Sequence, residues 1–493
     1  MYPFQAAGEF TLLKSTQDNL QIQARQQPIP GSLTVAENTA IAMRVGSATV
    51  EVNSVHGTAI AVYKAALPAT RPTATQSKLS PIELGPGSGQ PEAAYDPASG
   101  DTYVAWVDDS DDWIDLCVVI PAAQSCNGGA GPYHLVDALA SAGGYTPIYS
   151  DVQLVLQPGG NVAVLAEADG ASPGVYPSGY GAEGVVAWSS PAGGAAFAAA
   201  DQGIDYGGVL LAPSAGDAPS GGAVALDAGD IGVFGDSALG NDFTDFGLGA
   251  SAPAGAPVAD NSGDFPDPLG NTGSQLASIP DPAAPGEYVV VAVGADFHTP
   301  AACPAGTADA TGYGVGIGTP GQLQTQSAWS STYFEPVSCE ADDPVLAGGG
   351  PAGGTIGLLE EEGPMLTASD SGAEGIYYRR FDPGTDSFDA PVLVSNEATR
   401  TVQSPNDLDV SQDSSGGVYG TWSDSRGLVV TYSATGGASW STPLPVTLPA
   451  TPDDDVVITG TGRGGAELAY TAEPGGSASE YLVALSYSQL KAG

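Results

Sequence analysis

The side chains best suited to chemistry in this chain are its 56 Asp and Glu, set against only 12 Lys and Arg and 3 His. Hydrolysis of a glycosidic bond needs two carboxylates, one kept protonated by its surroundings and one ionised. Glu167, Glu335, Glu374 and Glu467 stand beside apolar runs and are candidates for such a pair. With so many acids the sequence selects no pair, and no catalytic residue is assigned. Acid clusters suit a second chemistry. Asp108-Asp109-Ser110-Asp111-Asp112, Asp453-Asp454-Asp455 and Glu360-Glu361-Glu362 offer the dense oxygen donors of a calcium loop. Calcium is the cofactor these clusters would take, with Asp108, Asp109, Asp111, Asp112, Asp453, Asp454 and Asp455 as ligands. None has the EF-hand spacing, and a solvated run of charge is the plainer alternative.

Four cysteines fall into two local groups, Cys117 with Cys126 and Cys303 with Cys339. An even count at short range suggests two loop-stapling disulfides and an oxidising compartment, with four unpaired thiols as the alternative. No Cys-x-x-Cys occurs and His56, His134 and His298 are scattered, which argues against zinc. The amino terminus, MYPFQAAGEFTLLK, shows no basic stretch followed by an apolar one. The expectation is an extracellular or virion-surface protein that reaches its location already mature, by another export route or within a particle.

The net charge of −44 excludes a nucleic-acid binder, which needs cations against phosphates, and disfavours anionic membranes. No apolar run is long enough for a spanning helix, so no membrane insertion is expected. The charge is uneven: Lys14, Arg25, Arg44, Lys64, Arg71 and Lys78 are half of all basic residues, and none lies between Lys78 and Arg379.

The elements that must position these groups are strands. With 69 Gly and 40 Pro in 493 residues and no three-residue period, the chain is neither helical nor collagen-like. Residues 1–85 read as an amino-terminal β-rich arm, with short alternating strands at Leu33–Val35, Ala40–Val45, Ala48–Val52 and Thr58–Tyr63 before a Pro/Thr-rich linker. The arm is expected to join the chain to other structural proteins or to its own copies. From residue 86 a unit recurs: strand, Gly turn, and a second strand ending in an acid. Its clearest copy runs from Ser404 to Val446. The terminal acids Asp108, Asp169, Asp236, Asp296, Asp370, Asp424 and Glu473 mark seven such units. The pattern predicts an all-β protein: a propeller of about seven four-stranded blades over 86–493, with six or eight also compatible with the uneven spacing. Trp106 and Trp422 are expected to be core anchors between blades.

Ser433-Ala-Thr-Gly-Gly-Ala-Ser-Trp440 resembles the Asp-box of sialidase-like (BNR) propellers, Ser-x-Asp-x-Gly-x-x-Trp, with Ser433, Gly437 and Trp440 matching and Thr435 in the Asp position. Ser190–Phe197 and the aromatic Phe388 resemble degraded copies. The resemblance implies a structural turn between outer strands and no chemistry by itself. Sialidase catalysis would require an arginine triad from several blades, whereas Arg379, Arg380, Arg400, Arg426 and Arg463 all lie in the last third of the chain. The expected function is therefore non-catalytic, with acidic propeller loops presented for protein or glycan contacts. The alternative is an extracellular glycoside hydrolase that uses paired carboxylates.

Overall fold

The computed structural model describes five strands between residues 8 and 64 and, from 79 to 490, the strands and turns named below. The chain divides into two compact units, Met1–Ser77 and Lys78–Gly493. The division falls before the expected boundary at 85, because Ile82–Pro86 pairs with Ser479–Leu485 in the second unit. The first unit is an antiparallel meander of Gly8–Lys14, Gln21–Pro28, Ala36–Val45, Ala48–Asn53 and Ala59–Lys64. Leu33–Val35 lies outside the described residues.

The second unit is a β-propeller. Its sheets follow in chain order, and within each the antiparallel strands pair mostly with their neighbours in the chain. The first holds Glu92–Tyr95, Thr102–Asp108, Trp113–Val119 and Tyr133–Leu135. The second holds Ile148–Leu156, Val162–Asp169, Gly184–Ser189 and Val209–Leu210. The third has Ala223–Ala225, Asp230–Ser237 and Gly240–Gly247. The fourth has Gln275–Pro280, Tyr288–Asp296, Gly312–Gly318 and Thr332–Phe334. The fifth contains Ala341–Ala347, Gly357–Glu362, Gly375–Asp382, Ser387–Phe388 and Val392–Ser395. The sixth contains Asp409–Gln412, Val418–Asp424, Gly427–Ser433 and Leu444–Pro445. The last combines Pro452–Gly460, Ala466–Ala472 and Ser479–Leu485 with Ile82–Pro86 on its outside. Four strands throughout is thus corrected: among the described residues the third sheet has three and the fifth five.

The first strand of each sheet touches the first strand of the next, and Pro452–Gly460 touches Glu92–Tyr95, so the inner strands form a closed ring. Closure by a strand from the other end of the chain ties the ring shut without a covalent link. The repeat register is corrected at one point. The second strand of the fifth sheet ends at Glu362, so that residue takes the place expected for Asp370, which lies outside the described residues.

The cores lie between neighbouring sheets. Trp106 is fully buried with Leu84, Val104 and Leu482 where the last sheet meets the first, and its indole N–H donates to the Pro86 carbonyl at 2.6 Å. Trp422 is buried with Leu359, Tyr378 and Val429 between the fifth and sixth sheets. Trp188 meets Tyr149 edge-on at 5.7 Å between the first and second. Thr102–Asp108 is buried on both faces there, which explains its near-continuous apolar run.

Candidate functional site

The inner strands enclose a cavity of about 670 Å3 on the propeller axis, with residues from every sheet of the ring in its wall. Glu92 and Asp96 come from the first sheet and its turn, and Asp409 and Asp413 from the sixth. Gln153, Gln157, Gln275 and Gln412 add amides, and Ala223, Ala225 and Ala277 keep the wall close to the axis. Among the described wall residues there is no Lys, Arg or His. The cavity is therefore anionic, with hydrogen-bonding amides between apolar patches.

An innermost strand leaves one edge without a ladder partner, and its backbone groups must be satisfied in another way. Wall side chains do this across the gap between sheets. Asp409 accepts the Ile458 N–H of the last sheet at 2.7 Å through Oδ2 and its neighbour Val410 N–H at 2.7 Å through Oδ1. Two residues on, Ser411 Oγ accepts the Gly460 N–H at 3.1 Å. Ser278 Oγ donates to the Ala225 carbonyl of the third sheet at 2.6 Å. Asp413 closes the turn after its strand, accepting from Ser415 N–H at 2.8 Å, Ser415 Oγ at 2.6 Å, Gly417 N–H at 2.9 Å and Tyr419 Oη at 2.7 Å. These oxygens hold strand edges and a turn. None of these residues stood out in the sequence. The usable signal was Asp followed four residues later by Gly after an inner strand, as in Asp413–Gly417 and Asp96–Gly100.

Glu467, Glu360, Asp115 and Glu480 lie away from the axial wall, each with its own partner, Glu480 accepting from Thr471 Oγ1 at 2.5 Å. Glu467 accepts from Thr102 Oγ1 at 2.5 Å across the last and first sheets. Burial pushes its carboxyl above the usual range, and the Thr102 bond pulls it partly back. Glu360 is fully buried against Arg379 Nε at 2.7 Å, and burial pushes its carboxyl up while the guanidinium opposes this. Asp115, also fully buried, meets His134 Nδ1 at 2.6 Å. Glu360 and Asp115 belong to other sheets than Glu467 and Glu480, and within the last sheet Glu467 lies opposite Ala484 and Glu480 opposite Thr471.

Of the sequence candidates, Glu467 is thus a structural acid. Glu167 lies in Val162–Asp169, and Glu335 and Glu374 fall outside the described residues. Asp108 ends the strand Thr102–Asp108 and is buried, and Asp109, Asp111 and Asp112 lie outside the described residues. Asp453, Asp454 and Asp455 sit within the strand Pro452–Gly460, beside a register shift, rather than in a loop. Glu360–Glu362 likewise forms strand. Among the described residues no three His, Cys, Asp or Glu gather as a metal site. Cys117 and Cys126 form a disulfide, their Cα atoms 5.2 Å apart; Cys303 and Cys339 lie outside the described residues.

The Ser433–Trp440 turn joins the third and fourth strands of the sixth sheet. Ser433 Oγ accepts the N–H groups of Thr435 at 3.2 Å and Gly437 at 2.8 Å. Thr435 Oγ1 accepts the Ser439 N–H at 2.9 Å, so a hydroxyl here closes the loop. Gly437 has a φ of +90° and lies against the Tyr378 ring, where a Cβ would clash. Trp440 meets the same ring edge-on at 5.1 Å. The turn anchors the sixth sheet to the fifth and lies apart from the axial cavity wall. Arg379 and Arg380 are paired to Glu360 and Asp389 on the fifth sheet, which leaves them out of any axial triad.

No family model and no curated protein matches the chain. Among solved structures, it is similar to a Hadza microbial sialidase at 10% identity over 92% of this chain and 76% of that one, with a TM-score of 0.40. It is similar to a Penicillium chrysogenum alpha-L-arabinanase at 10% identity over 84% and 99%, with a TM-score of 0.39. It is also similar to Kuenenia stuttgartiensis hydrazine synthase at 11% identity over 83% and 97%, with a TM-score of 0.42.

Proposed function

We propose that this propeller is a non-catalytic binding protein of a cell or virion surface, and that its axial cavity takes an uncharged glycan. The observation that carries the reading is the use of the wall carboxylates. Asp409 and Asp413 are engaged by N–H and O–H donors that hold the ring and its turn. Hydrolysis would instead need one carboxylate free to give a proton and a second free to attack or to activate water. The amides of Gln153 and Gln275 supply donors and acceptors suited to sugar hydroxyls, while the wall acids disfavour sialic and uronic acids. The Cys117–Cys126 disulfide supports an oxidising location. The Ser433–Trp440 turn supports kinship with Asp-box propellers, a relation of architecture and not of activity.

The test is a panel of neutral and acidic oligosaccharides, read both for binding by calorimetry and for released reducing ends. The expected result is saturable binding of a neutral glycan, weakened by Gln153→Ala or Gln275→Ala, with no products. Turnover would replace this reading with the glycoside hydrolase. Binding confined to acidic sugars would overturn the proposed ligand.

A further inference from the structure

The amino-terminal unit carries a surface that the ligand reading does not use. Residues directly opposite in an antiparallel sheet share a face, and rows two residues apart share it too. The register aligns Leu13, Ile22, Met43, Val50 and Val62 in one row. The row two positions along each strand, beyond a bulge after Thr11, is Phe10, Ala24, Ile41, Val52 and Ile60. Both rows are wholly apolar across all five strands. The intervening rows belong to the other face: Lys14, Gln21, Arg44, Thr49 and Tyr63 in one, and Thr11, Gln23, Ala42, Glu51 and Ala61 in the next. Among the described residues this unit is a single sheet, and a single layer cannot bury its own apolar face.

We infer that this face pairs with the same face of a second copy, two five-stranded sheets stacking into a β-sandwich. Charge and area select that occupant. Residues 1–77 hold five Lys and Arg against four Asp and Glu, a net +1, so the second unit carries −45. The near-neutral unit opposes association with its own copy least, whereas the second unit repels its own copies. The face itself bears no charge in either row. Five strands about 4.8 Å apart and about six residues long present roughly 500 Å2, hence roughly 1,000 Å2 for the pair, near the lower bound of a specific interface. A two-fold axis satisfies the contact because the same rows face each other.

Light scattering of the full chain after gel filtration tests this over a concentration series. The expected species is a dimer of twice 49.0 kDa that dissociates on dilution. Ile41→Lys with Val52→Lys should shift dissociation to at least 100-fold higher concentration, while Ala42→Lys on the opposite face should leave it unchanged. Circular dichroism and thermal melting would establish that the variants stay folded. Met43→Cys provides a second readout that needs no destabilising charge, since the two-fold stack should give a crosslink between copies with a short bis-maleimide. A monomer at all concentrations, a dimer indifferent to Ile41 and Val52, or crosslinking only within one chain would overturn the proposal. None of these outcomes bears on glycan binding, so the two readings fail separately.

Discussion

On the axial wall Asp409 and Asp413 accept backbone N–H groups from strand edges and a turn, whereas between sheets Glu360 and Glu467 are met by side chains alone. Both regions hold acids in an apolar frame, and between sheets burial pushes the Glu360 and Glu467 carboxyls upward. The difference is one of donors. An inner strand lacks a neighbour on one side, so its N–H groups can meet a wall carboxylate directly. Between sheets the backbone is already saturated by the ladder, and one guanidinium or hydroxyl must do the work.

The comparison can be broken most directly at the fifth sheet. Arg379→Met leaves Glu360 buried without its cation and is expected to cost about 3–5 kcal/mol in chemical denaturation. Replacing both residues with apolar ones should recover most of that loss. A single variant within about 1 kcal/mol of the parent would show that water already reaches the pair.

Asp413→Ala removes the acceptor for two N–H and two O–H groups and should cost about 2–4 kcal/mol, with Asp413→Asn intermediate. Asp409→Ala, which frees the Ile458 and Val410 N–H groups, should cost about 1–3 kcal/mol. Hydrogen exchange at Ile458 should rise more than at Leu468 in the neighbouring strand, which would locate the loss on the inner edge.

The smallest effect has the opposite sign. Glu467 has a folded-state value raised above 4.5, so the folded chain holds its proton more tightly than the unfolded one. Its stabilising contribution is full below the ordinary value and is lost as pH rises through the raised one. Glu467→Gln, which keeps an acceptor for Thr102, should flatten that decline and raise neutral-pH stability by up to about 1 kcal/mol. Melting curves at pH 4 and pH 7 decide it. A variant less stable than the parent at pH 7 would show that the charged form is favoured in the interface.

Much of the fold was legible because it is local. Alternation and Gly turns placed Val162–Asp169, Tyr288–Asp296 and Val418–Asp424 with their terminal acids, since a strand and its hairpin turn are written in adjacent residues. The Ser433–Trp440 turn was legible for the same reason, every bond in it spanning four residues or fewer. The site was not legible. Asp409 looks like any other acid in the sequence and Glu467 stands out only as one of four acids beside apolar runs, and what decides their roles is a donor 49 residues away for one and 365 for the other.

The division follows from the physics of closure. Taken alone, the amino-acid sequence determined the sheet type, the repeat and the partition of charge between a near-neutral amino-terminal unit and an acidic remainder, because composition, period and turn chemistry act over a few residues. Tertiary structure decided that Ile82–Pro86 belongs to the last sheet, that the inner strands close into a ring, and which carboxylates meet the freed backbone groups. Those contacts join residues far apart in the chain, and they exist only once the ring has closed.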